Sequence, residues 1–319
     1  MKMKKCLLVI SIIILFAQFG GAELPVTEQR DILDKIRESV SLLKVSGEVA
    51  KFSDTALKGR LAGSEGANRV AKMIASEFER NGLSHLTWLD LHSYHMSFPL
   101  IGREGEKTGL TGYNLVGLIR GESESKRYYL VGAHYDYLGG NDDFVYRGAD
   151  DAAGVSAVLE IMRIIKKLDM KPKHHIIFVV FSGSMWGFQG AAEMAARLKE
   201  KDYEQLGMLY LHRLGGTGGN KIDVFTEDYP GGKFLWEAMQ EAGKYYGVTV
   251  DVRDENDGGS DAYMFVHKGL PAAGINWDWS KKHHPYYETT LDNINNTNTD
   301  GLIKTITVTA GALWLLANK

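Results

Sequence analysis

Two short motifs supply a histidine and an aspartate, sixteen residues apart, that could hold a metal ion. His134 follows an apolar run at residues 128–131, which predicts a buried strand. Asp150 stands just before apolar residues with helical spacing, so we expect a helix to begin beside it. Ligands bind at the carboxyl ends of strands in open α/β sheets, and zinc accepts imidazole and carboxylate together. His134 and Asp150 are therefore candidate metal ligands.

The elements that must position these residues alternate between strands and helices. Apolar runs predict strands at residues 86–94, 113–119, 128–131, 175–181, 209–211, 248–252 and 272–276. Amphipathic stretches between them predict helices, the last of which covers residues 302–316. This alternation predicts an α/β fold with a mixed, largely parallel central sheet and helices on both faces.

The first residues have the pattern of a secretory signal peptide. Residues 1–5 are basic, residues 6–19 are apolar, and residues 20–22 are small, as at a cleavage site. A membrane anchor is the alternative, but the apolar run is shorter than the roughly 20 residues that a span needs. We therefore divide the chain into a signal peptide (1–22), an N-terminal helical segment (23–54) and one domain (55–319), and we expect export to the periplasm or secretion.

Charge and cysteine content narrow the possible partners and ligands. Loss of residues 1–22 removes three lysines and no acid, so the net charge moves from −3 to about −6. An acidic chain without a basic patch argues against a nucleic-acid partner, and the absence of a second long apolar segment argues against a membrane span after signal removal. The only cysteine, Cys6, leaves with the signal. Any metal must therefore bind histidine, aspartate or glutamate.

Several motifs in order resemble those of the co-catalytic zinc aminopeptidases, the bacterial leucyl aminopeptidase and aminopeptidase Y type of peptidase. These motifs are residues 61–64, 113–117, the His134 and Asp150 stretches, 178–190, Ser260-Asp261 and 285–287. The resemblance runs from about residue 57 to the C-terminus and implies a zinc aminopeptidase-like fold. It also implies two-metal hydrolysis, in which one aspartate bridges two ions and a glutamate accepts the proton of a water.

The chain differs from that family at the positions of the general base and of one metal ligand. The family has a Glu-Glu pair after the strand at residues 175–181, the first glutamate as general base and the second as a metal ligand. Ser184 occupies the base position here and Met185 the ligand position. A neutral hydroxyl does not accept a proton at pH 7, and a thioether is a poor ligand for a hard ion.

Two further ligand positions are changed in opposite directions. His212 stands where the family has an aspartate, and Glu288, after Tyr287, stands where it has a histidine. One ion could still be held by Asp150, His212 and Glu288, whereas the other would have only His134 and Asp150. We therefore consider one zinc ion as the candidate cofactor and do not expect a two-zinc site.

Simpler explanations exist for most of these residues. Asp150 could be a helix N-cap, and we slightly favour a direct hydrogen bond between His212 and Glu288, without an ion. Asp136 is expected to orient the His134 ring. The remaining expectations concern neighbours of the site: Asp151 supports loop geometry, Asp261 matches the family's Ser-Asp pair, and His283 and His284 are solvated.

Two functional hypotheses follow. The first is a divergent, non-catalytic member, an exported protein that keeps the fold and binds a peptide or protein in its cleft. Loss of a general base usually costs about 10²–10⁴-fold in rate, which favours this hypothesis. The second is an active metallohydrolase or aminopeptidase that uses a rearranged single-metal site at Asp150, His212 and Glu288.

Overall fold

A mixed eight-stranded sheet runs through the part of the chain that the computed structural model describes, residues 26–122, 126–255 and 259–319. The strands are β1 (His95–Ile101), β2 (Lys107–Ile119), β3 (Arg127–His134), β4 (His175–Phe181), β5 (Glu204–Leu211), β6 (Lys221–Phe225), β7 (Thr249–Arg253) and β8 (Ala273–Trp277). Their spatial order is β1-β2-β4-β3-β5-β8-β6-β7. Four of the seven strand pairs are parallel, including every pair among β4, β3, β5 and β8. The predicted signal peptide lies outside the described residues.

Helices cover both faces of the sheet. They are α1 (Val26–Ser39), α2 (Leu42–Phe52), α3 (Glu65–Arg80), α4 (Ala149–Lys167), α5 (Gln189–Lys199), α6 (Lys233–Tyr246), α7 (Asp261–His267) and α8 (Thr299–Ala317). Buried side chains of α1 to α4, α6 and α8 form the larger core on one face, and those of α5 and α7 form a smaller core on the other. The predicted fold class is confirmed.

Helix α8 has the length and the hydropathy of a membrane span. In this fold, however, 83% of its apolar window is buried inside the protein. It packs against α6, α4 and α1 in the larger core. The helix is therefore apolar all round because protein surrounds it.

Parallel pairing brings the ends of four strands to one edge of the sheet. His134 at the end of β3 is in register with Phe181 at the end of β4, and β5 runs parallel to β3 on its other side. Helix α4 crosses this edge closely, because a Cβ on Gly154 would lie 2.6 Å from the carbonyl oxygen of Leu211. Glycine at this position lets the second turn of α4 approach the end of β5.

The prediction of a strand at residues 86–94 is wrong. That stretch contains a short 3₁₀ turn, Thr87–Leu89. Leu89 in the turn and Leu86 and Leu91 beside it are buried in the smaller core without forming a strand. The strand follows it as β1, in which buried and more exposed residues alternate. Strand β6 was not predicted either, because it is short and contains the charged residues Lys221 and Asp223.

A partly buried arginine joins the N-terminal helices to the rest of the fold. Both Nη atoms of Arg163 donate to Glu48 on α2 at 2.8 Å, and its Nε donates to Glu160 at 2.8 Å. Glu160 also accepts the backbone N–H of Ser41 at 2.6 Å. The Arg163 side chain is 12% exposed and that of Glu160 only 2%. Removal of this cation would leave two carboxylates poorly hydrated and close together.

We predict that Arg163→Met lowers the free energy of unfolding by about 3 kcal/mol, because breaking a buried ion pair leaves uncompensated charge. Urea denaturation at pH 7 measures this loss. The matched control is Arg197→Met, since Arg197 pairs with Glu193 while both side chains are more than a third exposed. Loss of that surface pair should cost no more than about 0.5 kcal/mol. Equal losses in the two variants would contradict a specific role for the Arg163 cluster.

Candidate metal centre

His134, Asp151 and His212 form a buried group whose ligand atoms all lie within 4.8 Å of one another. The Oδ1 atom of Asp151 lies 3.3 Å from Nε2 of His134 and 3.4 Å from Nε2 of His212. The two imidazole rings face each other edge to face, with centroids 5.2 Å apart. One carboxylate between two imidazoles is a donor set that zinc commonly accepts.

Each of the three side chains is positioned by an element end. His134 is the last residue of β3, and its Nδ1 lies 2.8 Å from the backbone carbonyl of Asp136. This bond directs Nε2 towards Asp151, as outer partners of metal-binding histidines do. His212 follows β5, and its backbone N–H donates to Ile275 of β8 at 3.0 Å. Asp151 lies in the first turn of α4, after Gly148 with φ 57°.

Charges in the group favour an ionised carboxylate. Burial by itself raises the pKa of Asp151, but attraction to His134, His212 and Arg213 outweighs burial and lowers it to about 2. Burial lowers the pKa of His134, but the charges of Asp151, Asp261 and Asp136 raise it to about 9. Neither carboxylate oxygen of Asp151 has a hydrogen-bond partner among the described residues. A metal ion can bind here only to neutral imidazoles, so it would displace the histidine protons; it would then satisfy the Asp151 oxygens that burial removes from water.

Asp150, the predicted ligand, belongs to a different network. Its Oδ2 lies 2.5 Å from Nδ1 of His284, and its Oδ1 accepts the N–H of Gly215 at 2.6 Å. His284 is buried, and its Nε2 lies 2.6 Å from the carbonyl oxygen of Trp277. Asp151, and not the expected Asp150, therefore faces His134 and His212, and the expected solvation of His284 is wrong. The N-cap of α4 is Gly148, so Asp150 does not cap this helix either.

Glu288 is not brought to the group. Its side chain is exposed, its backbone has φ 58°, and its N–H donates to the Tyr137 hydroxyl at 2.7 Å. Among the described residues no hydrogen bond joins it to His212, so the predicted pair with that histidine is not formed. The neighbouring Tyr287 does face the site, with its ring 5.2 Å from the Arg213 guanidinium. The predicted set of Asp150, His212 and Glu288 thus retains only His212.

Ser184 lies beside the group and is bonded to a buried acid. Its hydroxyl donates to Oδ2 of Asp261 at 2.7 Å, and the Tyr210 hydroxyl donates to the same oxygen at 2.6 Å. Burial raises the pKa of Asp261 despite attraction to His134. The predicted Ser-Asp motif therefore contributes a polar network next to the candidate metal ligands.

Asp136 supports two parts of the site at once. Its carboxylate oxygens accept the backbone N–H groups of Ser184 and Met185, each at 3.2 Å. Burial raises the pKa of Asp136 to about 6 although these bonds and the charge of His134 oppose the shift. Because its own carbonyl bonds the His134 ring, Asp136 links the end of β3 to the turn after β4.

Three residues at the site were not singled out from the sequence. Arg60 is fully buried and donates to the backbone carbonyls of Phe52, Tyr135, Arg147 and Gly148, so it joins the end of α2 to the loop between β3 and α4. Asp292 accepts the N–H of Asp150 at 3.0 Å. Arg213, next to His212, stacks on Trp279. Arg213 could have been singled out from the sequence, because it is a charged residue next to the ligand position His212. Arg60 and Asp292 could not, because they reach the site through contacts with residues distant in sequence.

Similarity to known proteins agrees with this geometry. Residues 114–313, more than half of the chain, match the model of peptidase family M28. The chain belongs to peptidase family M28. A probable zinc metalloprotease of Pyrenophora tritici-repentis is 34% identical over 128 residues, which are 36% of this chain and 29% of the relative. The chain thus matches less than a third of the length of that curated relative.

Solved structures agree on the fold. The Legionella pneumophila LapA aminopeptidase superposes with a TM-score of 0.73 and 19% identity, over 99% of this chain and 80% of its own. BSAP, a zinc aminopeptidase from Bacillus subtilis, has a TM-score of 0.71 and 15% identity, over 88% of this chain and 96% of its own. At these sequence identities the similarity shows only the fold of this M28 protein. Its chemistry must be argued from its own residues.

We predict that the M28 chain binds about one zinc ion per molecule through His134, Asp151 and His212. Asp151→Asn should weaken zinc binding by at least about 100-fold, because the substitution removes the charged ligand. Isothermal titration calorimetry gives the affinity, and elemental analysis after dialysis gives the stoichiometry.

Two neighbouring variants serve as controls. Asp150→Asn and Glu288→Gln should change the zinc affinity by no more than about threefold, because neither carboxylate lies in the group. Loss of zinc in Asp150→Asn combined with retention in Asp151→Asn would refute the ligand set.

Proposed function

We propose that this chain is an exported M28 protein that binds one metal ion and a peptide or protein ligand in its cleft without hydrolysing peptides. Ser184 carries the proposal. It occupies the position at which the resemblance to zinc aminopeptidases places the general base, and its hydroxyl is already a donor to Asp261. A hydroxyl bonded in this way has no basic site comparable to a carboxylate at pH 7.

The second ion of a co-catalytic site has little to hold it here. Met185 replaces one carboxylate ligand, and its described polar contact is the backbone N–H bond to Asp136. Glu288 replaces another ligand and is exposed to solvent. Two-ion clamping is a large part of the electrostatic stabilisation in such hydrolases. Loss of both the base and the second ion supports a role in binding.

The remaining group has a definite use in ligand binding. His134, Asp151 and His212 would hold a zinc ion with a coordination position left for a ligand. When bound, this ion supplies a Lewis acid that attracts a carbonyl or carboxylate oxygen. Asp136 fixes the His134 ring, and Arg60 fixes the loops around it. The chain's own residues therefore provide a preorganised cleft.

A second candidate is an active hydrolase with a single metal ion. Asp261 favours it, because Oδ1 of this buried carboxylate has no hydrogen-bond partner among the described residues. Asp261 could accept a proton directly or through the Ser184 hydroxyl, which lies 2.7 Å from its other oxygen. In this candidate Asp261 replaces the missing glutamate as general base.

The proposal that the protein is exported is supported by residues 1–22, where basic, apolar and small residues follow one another as in a signal peptide. The acidic charge of the chain and its lack of a basic patch support a peptide or protein ligand over nucleic acid. Fractionation of cells that express the full chain tests export, and a mature N-terminus near residue 23 is the expected result.

We predict that zinc-loaded protein hydrolyses leucine p-nitroanilide no faster than the Asp151→Asn variant. The double substitution Ser184→Glu and Met185→Glu restores the two missing carboxylates. We expect it to raise zinc-dependent turnover by at least about 100-fold over the unchanged protein, which is the usual contribution of a general base. Initial rates with and without a chelator measure both quantities.

The Asp261→Asn variant separates the two candidates. If the unchanged protein shows zinc-dependent turnover and Asp261→Asn removes most of it, the single-metal hydrolase is correct and the binding function is excluded. Ser184→Ala is the companion variant. It removes the hydroxyl and leaves Asp261 in place, so it tests whether the proton passes through Ser184.

A further inference from the structure

The carboxylate of Asp151 is buried, and neither of its oxygens has a hydrogen bond among the described residues. Its neighbours are held more firmly. The ring of His134 is bonded to the Asp136 carbonyl, and the carboxylate of Asp150 is bonded to the N–H of Gly215. Metal ligands are usually oriented by such outer bonds. The position of the Asp151 carboxylate therefore depends on the backbone of α4 that carries it.

The first turn of α4 receives its cap from a distant part of the chain. The residue before the helix is Gly148, which has no side chain to accept the first N–H groups. Such groups have no partner within the helix, and buried ones need one. Asp292 supplies it, because its Oδ1 accepts the N–H of Asp150 at 3.0 Å and its backbone carbonyl oxygen lies 3.5 Å from the nitrogen of Ala149. Asp292 is 142 residues from Asp150 in sequence and only 4% exposed.

The residues just before α4 are held as well. Nη2 of Arg60 donates to the carbonyl oxygen of Gly148 at 2.9 Å, and Nη1 donates to that of Arg147. A Cβ on Gly148 would lie 2.4 Å from the Tyr137 ring and 2.9 Å from the Arg60 guanidinium, so this turn has no spare room. Donors thus fix the carbonyls before the helix, and Asp292 fixes the N–H groups of its first turn. The two contacts together limit how α4 can rotate or shift.

The rotation of α4 decides which carboxylate reaches the two histidines. Successive helical residues point about 100° apart. Asp150 accordingly contacts His284 at 2.5 Å. Asp151 lies 3.3 Å from His134 and 3.4 Å from His212. Zinc binds carboxylate oxygens at about 2.0–2.2 Å, so a small displacement of the first turn would separate Asp151 from an ion held by the histidines.

We infer that Asp292 is a positioning residue of the metal centre. It holds the first turn of α4 so that Asp151, and not Asp150, presents its carboxylate to the two histidines. The inference rests on the proposed function in one respect, because it assumes that the chain binds one metal ion through this group. It makes metal affinity depend on the loop between β8 and α8, although this loop contributes no ligand.

Two substitutions of similar branched shape separate positioning from charge. Asp292→Leu removes the acceptor and the charge, whereas Asp292→Asn removes the charge and keeps an acceptor oxygen. With zinc alone as the probe, titration calorimetry should show that Asp292→Leu weakens binding at least about tenfold, the usual effect of losing an outer partner. Asp292→Asn should stay within about threefold of the unchanged protein, because its amide oxygen can accept the same N–H.

A double-mutant cycle tests whether Asp292 acts through Asp151. In the unchanged protein Asp151→Asn is expected to weaken zinc binding by at least about 100-fold. In the Asp292→Leu protein the same substitution should have an effect about tenfold smaller, because the carboxylate is already displaced. A residue that contributed only to overall stability would leave the effect of Asp151→Asn unchanged.

A control variant and a second substitution keep the result interpretable. Ser41→Ala removes the side-chain cap of α2, which accepts the N–H of Lys44, and should keep the zinc affinity within about threefold. Thermal melting shows whether each variant folds. If Asp292→Leu does not fold, Asp292→Ala replaces it with the same expected loss, because it removes the acceptor without placing an apolar group against the buried N–H.

The outcomes separate the inference from the proposed function. If the unchanged protein binds zinc and Asp292→Leu binds it equally well, the inference is wrong and the one-metal site stands. The same holds if Asp292→Asn loses as much affinity as Asp292→Leu, or if the two effects in the cycle are additive. If the unchanged protein binds no zinc, the proposed function and the inference are wrong together. Zinc-dependent turnover with the expected losses of affinity would refute the non-hydrolytic function and support the role of Asp292.

Discussion

The candidate site depends on one buried carboxylate that must be surrounded by positive charge. Asp151 is 2% exposed, and neither of its oxygens has a hydrogen bond among the described residues. An isolated buried carboxylate is strongly unfavourable. His134, His212 and Arg213 all supply charge that favours its ionised form. The ends of β3 and β5, together with the start of α4, are arranged around this requirement.

The unfavourable burial of two adjacent carboxylates at the start of α4, Asp150 and Asp151, is offset in two different ways. Asp150 is paired with His284 and with the N–H of Gly215, so it works as a structural group that holds the loop after β5. Asp151 has a pair of imidazoles at 3.3 and 3.4 Å, longer than a charge-assisted hydrogen bond, and this spacing can admit a cation. Burial of Asp150 is offset by hydrogen bonds, whereas burial of Asp151 is offset by the charges around it.

The proposed differences from the zinc aminopeptidase pattern concern groups that would hold a second ion or accept a proton. Ser184 and Met185 stand where the resemblance places two carboxylates, and Glu288, where it places a histidine, is exposed outside the group. Fewer ligands leave less negative charge to hold a second divalent ion. The proposed one-metal site is consistent with these positions taken together.

The sequence by itself determined the sheet with helices on both faces. Apolar strands that alternate with amphipathic helices bury their apolar surfaces by packing the helices on both faces of one sheet. It also located His134 and His212 at strand ends. Only the tertiary structure decided between Asp150 and Asp151. Successive helical residues point about 100° apart, so the rotation of α4 determines which carboxylate faces the histidines. Packing distant in sequence likewise placed His284 and Arg213 inside the site and Glu288 outside it.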